Sequence, residues 1–144
     1  MRKTSETIAS VRRLGRDQSG ATAVEFAFLA PVLIFILMGI TSYGGYFWIS
    51  HSVQQLANDA ARAAIPGTTT AERISLAKAA VAASASDAEL IPAKVSTEVI
   101  DSGGRLTVAV SYDAAQSIAF AVRGVTPMPS DQIRRRASVQ LGGY

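Results

Sequence analysis

The chain has 144 residues, 49% of them hydrophobic, with no cysteine and a formal net charge of +3. That length holds one membrane helix and one small domain. The missing cysteines exclude a disulfide framework, a thiol nucleophile and a thiolate metal site. The basic balance is placed unevenly. Arg2, Lys3, Arg12, Arg13 and Arg16 precede Gly20 against only Glu6 and Asp17, whereas acids and bases nearly balance after Ile49. The charge therefore marks a leader rather than a nucleic-acid surface.

Residues 1–20 form that leader, a short polar and basic stretch. An ordinary secretory signal fits it poorly, because the apolar run that follows is too long and no small-x-small site ends it. Retention as an anchor is expected instead.

The stretch Gly20 to Ile49, GATAVEFAFLAPVLIFILMGITSYGGYFWI, organises the rest. Phe26 to Ile40 holds no charged side chain, and only Pro31 and Gly39 interrupt its apolar run. A bilayer needs about 20 residues of helix. A helix is the single-segment solution in lipid because it bonds every backbone amide internally. We assign residues 21–49 to a transmembrane helix. Arg12, Arg13 and Arg16 outnumber Arg62 at the opposite flank, which puts the N-terminus in the cytoplasm.

Pro31 costs about 3 kcal/mol in a soluble helix interior. In a membrane neighbouring groups satisfy the freed carbonyl, so a kink rather than a break is expected. Gly39, Gly44 and Gly45 either offer small surfaces for close helix approach or are ordinary membrane-helix glycines. Tyr43, Tyr46 and Trp48 suit an aromatic belt at the far interface. Glu25 is the one acid, at the start of the run. A carboxylate at the membrane centre costs on the order of 2.5–3.5 kcal/mol. Such an acid is tolerable opposite a cation or, at the helix start, in the headgroups, where the helix dipole favours it.

Beyond the membrane, residues 50–144 form an α+β domain. Ile49, Val53, Leu56, Ala57, Ala60 and Ala64 follow three- and four-residue spacing, so the helix continues to Pro66-Gly67. His51, the one histidine, reads as an interface or surface residue. Thr69-Thr70-Ala71-Glu72 is a capping box. It opens a second helix over residues 70–84, with Ile74, Ala77, Val81 and Leu76 turned inward. Residues 84–92 read as a linker. Val95, Thr97 and Val99 alternate with polar residues. Asp101-Ser102-Gly103-Gly104 is a turn, and Leu106, Val108, Val110 and Tyr112 alternate again, a hairpin signal. Residues 113–123 are a short helix or an irregular crossover carrying Ile118, Phe120 and Val122. A third strand runs over residues 134–141. Its Arg134–Arg136 run reads as a solvated strand end, with partner binding the other option. Three antiparallel strands need a helix over one face, and the outer half of the long helix supplies it.

The string Gly20, Ala21, Ala23, Val24, Glu25, Phe26, Ala27, then Pro31 and Gly39, then Ala57, Asp59, Ala60, Ala61 and Arg62, resembles the TadE-like family. These are minor pilins, or pseudopilins, of tight-adherence (Flp, type IVc) pilus systems. The resemblance covers the first half of the chain strongly, and MRKTSETIASV has no counterpart in it. TadF- and TadG-like relatives share the N-terminal pattern, so the paralogue stays open. The resemblance implies a type IV pilin-like plan and a cut by a prepilin peptidase between Gly20 and Ala21, which makes Glu25 the fifth residue of the product. It also implies that Glu25 meets the N-terminal amine of a neighbouring subunit. The partners implied are the membrane, the peptidase, and other pilins and assembly proteins in a hetero-oligomer, with the domain in the periplasm. No nucleic acid, cofactor, metal or catalytic residue is expected. The competing expectation is an uncleaved, membrane-anchored binding module of the same machinery.

Overall fold

The computed structural model describes residues 18–124 and 127–142. The expected leader thus lies, through Asp17, outside the described residues. Two units divide the chain, residues 1–39 and 40–144. One helix, α1 (Gln18–Ala63), has residues in both.

In the first unit α1 runs unbroken through Pro31. Every large apolar side chain from Val24 to Leu37 is more than half exposed. A helix that is apolar all round and unburied by its own chain has a lipid-like medium as its natural partner. By length and composition it is able to cross a membrane, which makes the chain compatible with a single-pass anchor.

In the second unit α1 is amphipathic. Val53, Leu56, Ala57, Ala60, Ala61 and Ala64 are buried, on the stripe expected from the spacing. The helix proper ends at Ala63, three residues before Pro66. Its last turn tightens as the Ile65 amide donates to the Arg62 carbonyl at 3.2 Å, and Pro66 has no amide to continue. Gly67 is buried against the next helix. A Cβ there would stand 2.7 Å from Arg73 Cγ, so only glycine fits without a shift.

Helix α2 (Thr70–Ser84) is capped by the Thr69 hydroxyl, which accepts from the Glu72 amide. The return half of the capping box reaches one residue further than expected: the Glu72 carboxylate takes the Thr68 amide at 2.8 Å and the Thr68 hydroxyl at 2.9 Å. Ala77 and Val81 are buried, while Ile74 and Leu76 are half-buried.

The segment after Ser84 is not a loose linker. The Ala88 amide still donates helically to the Ser84 carbonyl, and the chain then reverses at Glu89. Glu89 has φ 57°, and the Leu90 amide donates to the Ala85 carbonyl at 3.0 Å. This is a Schellman stop. Ala85 and Leu90 are buried, so the reversal drives Leu90 into the core. Glutamate carries a Cβ penalty in this conformation, on the order of 1–2 kcal/mol per residue, that glycine lacks. Glu89→Gly is therefore expected to stabilise the unit by about 0.5–1 kcal/mol, read as a raised urea midpoint. A lowered midpoint would show that the Glu89 side chain contributes more than its backbone strain.

A short 3₁₀ turn, Pro92–Lys94, leads into β1 (Val95–Ser102), β2 (Arg105–Asp113) and β3 (Gln132–Gln140). The sheet is antiparallel in the order β1-β2-β3. Gly103 and Gly104 have φ 59° and 72°, the positive values that a two-residue hairpin of the I′ type demands at both positions. Leu106, Val108, Val110 and Tyr112 are all buried, on one face of the central strand. Strand β3 begins two residues earlier than expected, and the gain is Ile133, 1% exposed. Both helices and the sheet contribute to one core: Val53 and Leu56 from α1, Val81 from α2, Leu106 and Val110 from β2, and Ile133 from β3. The architecture is the α+β plan read from the sequence.

Between β2 and β3 the chain makes a 3₁₀ turn, Ile118–Phe120. Phe120 points inward at 4% exposure, while Ile118 is 79% exposed. A turn with three residues per revolution puts these two side chains on different sides, so the expected apolar set does not face one way.

Candidate processing and assembly segment

Gly20, Ala21 and Glu25 all lie on α1 near the start of its described length, and all three are exposed. A Cβ at Gly20 would meet nothing within 4 Å among the described residues, so no packing there asks for glycine. Glycine lowers helix stability by about 1 kcal/mol relative to alanine, which makes this turn easier to open. Ala21 and Glu25 are four residues apart on one helix face, a separation of about 5–6 Å between Cβ atoms. Glu25 is the only ionisable side chain from Gly20 to Trp48 apart from the tyrosines. Gly39 and Gly44 also have open space where a Cβ would stand.

Gly45 is different. A Cβ there would stand 3.0 Å from Ala119 Cβ, on the crossover turn. Tyr46 meets Phe120 edge-on, with ring centroids 6.3 Å apart. The Tyr43 hydroxyl donates to the Pro127 carbonyl. Within the second unit, then, the crossover is strapped to α1 at Tyr43, Gly45 and Tyr46. These are residues that sequence reasoning assigned to helix contacts and an aromatic belt. Phe47 and Trp48, at 65% and 59% exposure, remain outward. The unit's own packing starts at Ser42, 2% exposed, seven residues before the end of the hydropathy-based span.

A polar cluster that the sequence did not suggest closes the far end of the sheet. Asp101, at the end of β1, accepts from Arg73 at 2.9 Å and from the Thr70 hydroxyl at 3.0 Å. Its side chain is 8% exposed. The Arg73 guanidinium, followed by the Thr70 hydroxyl, holds the Asp101 carboxyl below its ordinary value. The Thr68 backbone and hydroxyl bonds likewise lower Glu72. For both groups the folded value lies below the unfolded one. Their contribution to stability is full above the ordinary carboxylate range and is lost as pH falls through the lowered values. In the sequence Asp101 reads only as a turn residue and Thr70 only as part of the capping box, whereas β1 carries Asp101 as its penultimate residue.

The arginine run is partly neutralised. Arg134 pairs with Glu98 across the outer face of the sheet, Arg135 donates to the Arg134 carbonyl, and the Arg136 carbonyl accepts from Gln54 at 3.1 Å. His51 lies 2.9 Å from Gln55, one turn along α1. Among the described residues no group of three or more His, Asp or Glu is placed to hold a metal.

The family model for TadE-like proteins matches residues 20–62. The match opens on Gly20 and closes one residue before α1 ends, less than a third of the chain. The resemblance read from the residue string is thus matched over the long helix. Neither curated proteins nor solved structures give a match to the chain.

Proposed function

We propose that the chain is a minor pilin, or pseudopilin, of a tight-adherence pilus, cut by a prepilin peptidase between Gly20 and Ala21. The observation that carries this reading is the coincidence at one end of α1. The family match opens on an exposed, unpacked glycine, and the lone acid follows five residues later, before an unburied apolar helix. A small residue lets the backbone enter an enzyme cleft without a side chain in the way. Cutting there leaves a free amine on Ala21, one helical turn from Glu25. Α carboxylate and an ammonium in a weakly screened medium attract strongly, so the new terminus and Glu25 are complementary between neighbouring subunits. The arginines before Gly20 orient the helix with its N-terminus in the cytoplasm. The C-terminal unit is then periplasmic, anchored in the inner membrane or carried into the pilus. This role is assembly rather than catalysis, and its partners are the peptidase, other pilins and the assembly machinery.

The test is the intact mass and N-terminal sequence of the full chain, produced with and without a matching prepilin peptidase. The expected product starts at Ala21 and forms only with the peptidase. Gly20→Leu is expected to reduce the processed fraction to near zero. Because no described residue packs on position 20, such a loss is not a folding defect. An intact Met1 start, where a known substrate is cleaved, moves the assignment to an uncleaved, TadF- or TadG-like anchored module.

A further inference from the structure

We propose that the turn Ile118–Phe120 between β2 and β3 is a second membrane contact, with Ile118 seated in the headgroup layer of the bilayer that α1 crosses. The inference rests on the reading of α1 as a membrane anchor. Ile118 is the most exposed large apolar side chain among the described residues, at 79%, yet its neighbours Ala119 and Phe120 are buried at 0% and 4%. The turn is thus held firmly while presenting one apolar group outward.

Its position along α1 is fixed by the strap at Tyr43, Gly45 and Tyr46. The apolar run ends at Ile40, and Gly45 lies five residues beyond it, about 7.5 Å along a helix. The polar layer on each side of the hydrocarbon is about 5–7.5 Å thick. The crossover therefore meets α1 inside that layer at Tyr43, about 4.5 Å beyond Ile40, and at its outer edge at Gly45. Phe47 and Trp48, exposed at 65% and 59%, lie one turn further out than Tyr43 along α1. The nearby cation does not drive the contact. Arg123 lies 5.2 Å from the Phe120 ring centroid and is already paired with Asp131 at 2.9 Å. The occupant that fits is an uncharged lipid surface recognised by apolar insertion, not an anionic headgroup cluster.

The chain has no cysteine, so Ile118→Cys gives a single site for a nitroxide label. The full-length chain is reconstituted in phosphatidylcholine vesicles, and label accessibility is compared for oxygen, which partitions into lipid, and a nickel chelate, which stays in water. Ile100→Cys is the water reference. It is 51% exposed, and it sits near the Gly103–Gly104 turn, at the opposite end of the sheet from the crossover. Leu33→Cys is the lipid reference. The expected result is an oxygen-to-nickel ratio at position 118 several-fold above that at 100 and below that at 33, unchanged by high salt. A ratio at 118 equal to that at 100, with Leu33→Cys in lipid, overturns the contact and leaves the anchor standing. Water accessibility at position 33 overturns both together. Exclusion of both reagents at 118, with spectral broadening that grows with protein density, overturns it in favour of a second copy covering the turn.

Discussion

Leu106→Ala is expected to destabilise the C-terminal unit by about 3 kcal/mol, within the range of roughly 2–5 for a large-to-small change in a core. Leu106 is fully buried on β2 and pairs with Asp101 on one side and Val139 on the other. A central strand bonded along both edges cannot slide to fill a void, so the cavity term persists. Domains of this size are stable by about 5–15 kcal/mol, which makes the loss a large fraction of the whole. The check is urea unfolding of the detergent-solubilised full chain, followed by hydrogen exchange at β2 amides. Ile100→Ala, on the exposed face of β1, serves as the comparison and should change stability by no more than about 0.5 kcal/mol. A loss under about 1 kcal/mol for Leu106→Ala would mean that the helices do not close over β2.

That core was legible because its signals are local. Leu106, Val108, Val110 and Tyr112 alternate, and the strand has period two. Val53, Leu56, Ala57 and Ala60 repeat at helical spacing, and Thr69 carries the hydroxyl that a helix start requires. What escaped depends on partners far away in sequence. Glycine at position 45 reads alone as a membrane-helix residue, and only Ala119 reveals that it admits a turn of the same chain. Asp101 reads as a turn residue until Arg73 and Thr70 are placed beside it. Glu89 lacks the glycine that usually marks a left-handed helix stop, so the reversal there carried no signal. Ile133 was hidden because Ser130, Asp131 and Gln132 before it have loop composition. For the candidate site the balance is reversed. Gly20 and Glu25 stand out in the residue string, whereas the structure adds that both are exposed and that no described residue stands where a Cβ on Gly20 would.

That freedom shapes the expectation for Glu25→Ala: insertion and processing are retained, while pilus assembly falls on the order of tenfold or more. A tenfold loss corresponds to about 1.4 kcal/mol at the contact. Glu25 is exposed at the start of the apolar run and lies outside the C-terminal unit. Removing a carboxylate from a membrane helix eases insertion, because the charged group is the costly one. Any loss must then come from what Glu25 meets after insertion. Glu25→Gln separates the two chemistries a carboxylate offers. It keeps size and hydrogen bonding but removes the charge, so a charge pair with a neighbouring Ala21 amine predicts that it fails like alanine. A strain carrying Glu25→Gln that assembles normally would assign Glu25 a hydrogen-bonding role instead. Normal surface pili with Glu25→Ala, measured in sheared fractions alongside membrane-inserted protein, would remove subunit pairing altogether. Glu25 would then be only an acid placed where a helix start and the headgroup layer tolerate it.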